Sequence, residues 1–184
     1  MEYSLFMIKP CAYEDKNEIL DIISKKLNIL FTRDIVLDER LLDKLYKNEE
    51  NIQFKNMNTE FLKDGKACMG IVSGRNAVQD LIKICGKKPL GSQCDKETIR
   101  YQFSLKDDII NLNGKVFFLN AIHKSDPSDA VDDVVLFLSE FMKEELEKSN
   151  IDFILKDEKK QVIMDNLLED NSPEDNKHED KERD

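Results

Sequence analysis

One histidine in this chain stands where chemistry could be done. Residues 120–126 read Asn-Ala-Ile-His-Lys-Ser-Asp and follow the strand-forming run Val-Phe-Phe-Leu at 116–119. His123 is therefore expected where a strand ends and a loop begins, a position from which a side chain can be aimed into a cleft. Imidazole titrates near neutral pH, so a neutral, nucleophilic ring is available. Alone, such a histidine is more often a structural residue held by hydrogen bonds.

Composition bounds the classes of protein to which the chain could belong. It has 184 residues, of which 40% are hydrophobic, and a net charge of -10, which suits one compact domain with appended sequence. No apolar run reaches the roughly 20 residues of a membrane span. The first residues lack the basic and apolar regions of a secretory signal, so we expect a cytoplasmic protein with no membrane partner.

The net charge and the spacing of the cysteines argue against further classes of protein. The acidic balance argues against nucleic acid as a partner, because phosphate backbones are bound by an excess of lysine and arginine. Much of this charge falls in residues 165–184, so a pocket for a polyanion could exist in the body if its basic residues converge. Four cysteines form no CxxC pair, which argues against a zinc site or a disulfide framework.

Alternating and helical patterns predict an α+β domain. The predicted strands and helices lie at residues 3–8, 29–37, 66–73 and 116–122 and at residues 14–30, 39–46, 57–63, 75–85 and 130–148, respectively. Asp38 is expected to cap a helix, Gly86 to end one, and Asn113-Gly114 to form a hairpin turn. The order β-α-β-β-α-β predicts a ferredoxin-like, four-stranded antiparallel sheet with helices on one face.

The chain divides into three predicted regions. Residues 1–148 hold the domain, and residues 149–168 carry enough apolar side chains for a helical extension. Residues 169–184 are acidic and poor in apolar groups, so we expect a disordered tail.

Four short motifs, in order, carry a resemblance to a known family. They read Met-Ile-Lys-Pro at 7–10, Gly-Ile-Val-Ser-Gly-Arg-Asn-Ala-Val at 70–78, Thr-Ile-Arg at 98–100 and Asn-Ala-Ile-His at 120–123, the last followed by Ser-Asp at 125–126. Together they resemble the nucleoside diphosphate kinases over residues 3–142. The resemblance implies an enzyme that binds nucleoside di- and triphosphates, takes Mg²⁺ with the nucleotide rather than at a protein metal site, and forms a homo-oligomer.

The same resemblance assigns roles to individual residues. His123 would be phosphorylated, with Ser125 and Asp133 holding its ring in the right tautomer. The other expected site residues line the nucleotide: Lys9, Tyr46, Phe54, Lys88, Arg100 and Asn120. Among them the aromatic pair would flank the base, Lys9 and Arg100 would contact phosphate oxygens, and Lys88 would replace a phosphate-contacting threonine. Without the resemblance, each of these residues has an ordinary alternative. Phe54 could equally be a loop or core aromatic residue, and the alternative for Lys9 and Arg100 is a solvated surface charge.

The chemistry is consistent with the residue types. Exchange of a terminal phosphate between nucleotides is nearly thermoneutral, and a phosphohistidine is a suitable intermediate because it lies close in energy to a phosphoanhydride. Lysine and arginine can neutralise the charge on the transferring phosphoryl oxygens. The sequence therefore predicts ping-pong transfer through phospho-His123.

Several departures keep an alternative open. Ile82 occupies the position of a second phosphate-binding arginine, Lys124 replaces a glycine, and the loop at 87–97 keeps little of the family sequence. Extra residues also lie between Arg100 and Asn120. The alternative is a catalytically weakened, kinase-like domain that binds nucleotide or a protein partner. A purely structural module would give no reason for a histidine and basic residues at strand ends.

Overall fold

Antiparallel strands form the central sheet of the computed structural model, which describes residues 1–104, 109–112 and 115–142. Its order is β2-β3-β1-β6, and every neighbouring pair is antiparallel. The strands of the described residues are β1 (Glu2–Ile8), β2 (Asn28–Val36), β3 (Lys66–Gly74), β4 (Ile109–Leu112), β5 (Lys115–Phe118) and β6 (Ile122–Lys124). The predicted ferredoxin-like, α+β architecture is confirmed.

Within the described ranges, six α-helices lie between and after these strands, together with 3-10 helices at Pro10–Asp15 and Gly91–Gln93. The α-helices are α1 (Lys16–Ser24), α2 (Glu39–Leu45), α3 (Ile52–Leu62), α4 (Ala77–Cys85), α5 (Ile99–Phe103) and α6 (Ala130–Phe141). In the part of the chain described, none of them is both long and apolar enough to cross a membrane.

Capping residues explain where several helices begin and end. Asp38 accepts a hydrogen bond of 2.7 Å from the Leu41 N–H, as predicted for the start of α2. Asn51 accepts from the N–H groups of Gln53 and Phe54, which explains why α3 begins at Ile52 rather than at residue 57. Gly86 ends α4 with a φ of 101°, a conformation that favours glycine.

The buried side chains of β1 show that helices cover both faces of the sheet. Phe6 and Ile8 belong to a core cluster with residues of α1 and α4. The alternate residues Leu5 and Met7 are also fully buried, on the opposite face, where α6 packs against β1. The expectation of helices on one face was therefore wrong, and β1 is apolar throughout because both its faces are covered.

Two further element predictions were also wrong. Residues 115–118 do not belong to the main sheet but pair with 109–112 in a separate two-stranded ribbon, and the fourth strand is β6. His123 accordingly lies inside β6, opposite Met7, instead of following a strand. The helix predicted for 14–30 ends at Ser24, because the residues from Asn28 onward pair with β3.

Some predictions fall outside the described residues. They concern the Asn113-Gly114 turn, the last part of the helix predicted for 130–148, the extension at 149–168 and the tail at 169–184. The chain divides into the units Met1–Phe141 and Met142–Asp184.

Candidate active site

A cavity of about 360 Å³ is lined by residues from β1, α2, α3, α5, β6 and the loop after α4. Six of the residues predicted for the site line it: Lys9, Tyr46, Phe54, Arg100, Asn120 and His123. These residues are far apart in sequence, so the fold brings them together. Ser125, Asp133 and Lys88 are not among the described residues that line it.

His123 presents a neutral ring to this cavity. Its ring lies edge-on to that of Tyr46, with centroids 5.4 Å apart and an interplanar angle of 78°. Burial lowers the pKa of His123 to about 3, and the nearby charges of Lys9, Arg100 and Lys124 act in the same direction. The ring is therefore unprotonated at neutral pH, as a nucleophile must be.

The two ring nitrogens of His123 differ in their surroundings. Nε2 is buried and has no hydrogen-bond partner among the described residues. The ring nevertheless lines the cavity and is only partly buried. Nδ1, by contrast, is not among the buried side-chain atoms that lack a partner.

Lys9 is a buried cation at the end of β1. Its side chain is 6% exposed, and its backbone N–H donates to the Ala121 carbonyl at 2.9 Å, which fixes the segment before β6. Burial lowers the pKa of Lys9 to about 8, and the charge of Arg100 adds to this effect. The ammonium is still mostly charged at neutral pH and can interact with an anion.

Arg100 joins three parts of the site through backbone carbonyls. Its Nε and Nη2 donate to the Ile122 carbonyl at 3.2 and 3.1 Å, and its Nη1 donates to the Gly86 and Lys88 carbonyls at 3.3 and 2.9 Å. Four of the five N–H donors of a guanidinium are thus engaged within the protein. Arg100 contributes its positive charge to the cavity and one remaining N–H.

Asn120 and Pro89 connect the loop after α4 to the segment before β6. The Nδ2 of Asn120 donates to the Pro89 carbonyl at 3.2 Å, whereas its Oδ1 is buried without a partner in the described structure. An acceptor at this position could receive a hydrogen bond from a bound ligand.

Ser125 and Asp133 interact with each other and with β1 rather than with His123. The Ser125 hydroxyl accepts from the Leu5 N–H at 3.3 Å and lies 3.4 Å from the Leu5 carbonyl. Burial raises the pKa of Asp133 to about 6, and a hydrogen bond from Ser125 partly opposes this rise. The described structure contains no hydrogen bond from either residue to Nε2 of His123, which corrects the predicted contact. Asp133 also has a side chain one methylene shorter than the glutamate that is usual at this position in the family it resembles.

A known protein family matches this chain in sequence. A family model described as nucleoside diphosphate kinase matches residues 2–142. This chain belongs to the nucleoside diphosphate kinase family. The family predicted from the four motifs is therefore confirmed. Among curated proteins, none matches the chain in sequence.

Solved nucleoside diphosphate kinases share the fold. A family protein from Babesia bovis has a TM-score of 0.63 and 22% identity, covering 78% of this chain and 90% of its own. The kinase from Aquifex aeolicus has a TM-score of 0.62 and 22% identity, with coverages of 74% and 94%. The kinase from Borrelia burgdorferi, a transition state mimic with bound vanadate and ADP, has a TM-score of 0.59 and 23% identity, with coverages of 74% and 86%. At these identities the likeness shows the fold alone.

Around its cavity, this member of the nucleoside diphosphate kinase family departs from the family's sequence pattern. Ile82 is half-buried on α4 and does not line the cavity. Lys83 is exposed and pairs with Asp80 at 3.1 Å, and the Lys88 side chain is exposed. Of the three lysines that follow Ile82, Lys83, Lys87 and Lys88, only Lys87 lines the cavity.

Among the lining residues that sequence reasoning missed in this family member, two are buried and polar. Lys124 is 9% exposed, lines the cavity and forms an ion pair with Asp126, although it was treated only as a departure. Its position directly after His123 could have indicated it. Asn58 lines the cavity from α3, and its place one helical turn after Phe54 was the available signal.

Proposed function

We propose that this chain is a nucleoside diphosphate kinase that transfers the terminal phosphate of a nucleoside triphosphate to a nucleoside diphosphate through phospho-His123. The single observation that carries the proposal is a neutral histidine in a cavity lined by buried cations. The family membership and the vanadate and ADP bound by the Borrelia burgdorferi relative support the same activity.

The proposed first half-reaction follows from these residues. The Nδ1 lone pair attacks the terminal phosphorus, a P–N bond forms, and the P–O bond to the nucleoside diphosphate breaks with its electrons on the departing oxygen. Lys9 and Arg100 stabilise the charge on the phosphoryl oxygens. Lys124 adds a third cation beside the nucleophile. The second half-reaction reverses these steps with another nucleoside diphosphate.

Mg²⁺ enters this scheme as part of the nucleotide substrate. Within the described residues, no group of three or more His, Cys, Asp or Glu side chains could hold a metal ion. The donor set is thus consistent with a metal carried by the phosphates, which would neutralise them. We also propose that the protein is cytoplasmic and that it forms a homo-oligomer, the latter as the family resemblance implies.

Two observations favour a second candidate, a kinase-like domain with weakened turnover. Ile82 puts no charge into the cavity, and Arg100 has most of its donors engaged with carbonyls. Such a domain would bind nucleotide but accept phosphate slowly.

Incubation with ATP labelled at the γ-phosphate separates these functions. We expect an acid-labile, base-stable label that a nucleoside diphosphate removes, and we expect His123→Gln to abolish it with an unchanged melting temperature. His178→Gln, which changes the other histidine of the chain, is the matched control and should label normally. Undiminished labelling of His123→Gln would refute the mechanism, and binding with very slow labelling would indicate the weakened domain.

A further inference from the structure

Asn58 lines the cavity and carries an unsatisfied polar group. The residue is 3% exposed, it lines the cavity, and its Nδ2 is buried without a hydrogen-bond partner among the described residues. A buried amide group without a partner destabilises a fold, so native proteins seldom retain one without a reason. A ligand that supplies the missing acceptor is such a reason.

The elements around the cavity indicate which part of a nucleotide would reach Asn58. The lining residues contributed by α3 are Phe54 and Asn58, which lie four residues apart on one helix face. The cations come from other elements, namely the end of β1, the loop after α4, α5 and β6. Phosphates held by these cations leave the α3 side of the cavity for the base, where the Phe54 ring offers an apolar surface.

We propose that Asn58 reads the edge of the nucleobase. Its Nδ2 donates a hydrogen bond to an exocyclic carbonyl oxygen, so the site favours oxo bases over the corresponding amino bases. This inference rests on the proposed function and adds to it a preference among substrates. Stacking alone gives no such preference, because every base has an apolar face.

Matched nucleotide pairs test this inference by equilibrium binding to the unphosphorylated full chain. IDP and ADP differ at C6 of the purine, and UDP and CDP differ at C4 of the pyrimidine, as oxo against amino. We expect the wild-type protein to bind IDP and UDP about tenfold more tightly than their partners, which is the usual size of one hydrogen bond. Asn58→Leu should reduce both ratios to about one, because its side chain has similar size but no donor.

Two further variants complete the design. Asn58→Asp keeps the shape but replaces the donor with an acceptor, so the preference should vanish or reverse even if Asn58→Leu folds poorly. Asn56→Leu changes an exposed asparagine of the same helix and should keep the wild-type ratios.

The outcomes are distinguishable. Equal affinities within both pairs for a wild-type protein that still forms the phosphohistidine would overturn the role of Asn58 and leave the kinase function intact. Ratios that persist in Asn58→Leu would overturn it as well. Failure of the wild-type protein to bind any of the four nucleotides would overturn both proposals.

Discussion

At the scale of single residues, the ionisation of His123 and Lys9 predicts an unusual pH profile. The pKa of His123 is lowered to about 3 and that of Lys9 to about 8, in both cases chiefly by burial. The histidine stays neutral as the pH falls from 7 to 5, whereas Lys9 loses its charge as the pH rises through 8. We expect kcat/KM for phosphotransfer to be flat between pH 5 and 7 and to fall above about pH 8, since this parameter reports the free enzyme.

Lys9→Arg is the matched variant for this profile. Arginine stays charged throughout the range, so the fall above pH 8 should disappear even if the activity is lower overall. A steep loss between pH 7 and 5 in either protein would show that His123 titrates near its ordinary pKa of 6.5.

Arg100 leads to a prediction about stability as well as activity. Lysine cannot reach three carbonyls at once, so Arg100→Lys leaves buried acceptors of Gly86, Lys88 or Ile122 without a partner. We expect the free energy of unfolding to fall by roughly 1–3 kcal/mol, together with phosphotransfer. Chemical denaturation measures the first effect, with exposed Arg75→Lys as the control. Unchanged stability with lost activity would show that Arg100 acts on phosphate alone.

The residues of the site divide according to what sequence can reveal. Lys9, Arg100, Asn120 and His123 lie in recognisable motifs, so their convergence on one cavity could be predicted. Asn58 was missed because the helix was predicted to begin at residue 57, which hid its spacing from Phe54. The carbonyl contacts of Arg100 depend on how distant elements pack, which residue type and spacing do not specify. The predicted contacts of Ser125 and Asp133 with the imidazole failed for the same reason.

At the scale of elements, Gly91 controls where α5 can lie. A Cβ built on Gly91 would meet the carbonyl oxygen of Arg100 at 2.3 Å and its carbonyl carbon at 3.1 Å. Backbone atoms cannot turn aside as a side chain can, so Gly91→Ala must displace α5 and with it Arg100. We expect a loss of about 1–3 kcal/mol in unfolding free energy, measured by chemical denaturation, with reduced phosphotransfer.

Gly74→Ala is the matched control for this steric prediction. The nearest atom to its added Cβ is the Cδ2 of the Leu27 side chain, at 2.8 Å, which can move. A cost for Gly91→Ala no greater than that for Gly74→Ala would show that the backbone of α5 is free to shift.

Predicting the elements was most reliable where pattern and capping agreed. The strand at β3 and the helix at α2 were predicted to within about two residues, the usual uncertainty of element ends. The fourth strand was misplaced because 116–122 is a nearly continuous apolar run, and such a run does not show which of its residues pair with β1. The position of β6 becomes clear only from its pairing with β1, which runs from Ile8 opposite Ile122 to Phe6 opposite Lys124.

At the scale of the whole molecule, net charge and local charge have opposite signs. The chain carries a net charge of -10, yet four basic residues (Lys9, Lys87, Arg100 and Lys124) and three acidic ones (Glu49, Asp126 and Asp129) line one cavity, so four positive charges against three negative leave a local balance of +1. The convergence that a polyanion pocket requires is present. Composition predicts no general affinity for nucleic acid, but it could not locate this cluster, because three-dimensional packing assembles it from four segments.

The acidic tail yields a prediction that rests on sequence alone. Residues 169–184 have too few apolar groups to offset the entropy of ordering them. A chain ending at residue 168 should keep the melting temperature and the phosphotransfer rate of the full chain, as measured by calorimetry and a coupled assay. A marked drop in melting temperature would mean that the tail packs on the rest of the protein.

The carbonyl contacts of Arg100 also bear on the entropy of nucleotide binding. Long side chains lose rotational freedom when they are ordered, and a flexible binding site incurs that loss each time a ligand enters. Arg100 is already immobilised by its bonds to Gly86, Lys88 and Ile122, and Asn120 is immobilised by its bond to Pro89. Their conformational freedom is lost once, during folding, and need not be lost again in any catalytic cycle.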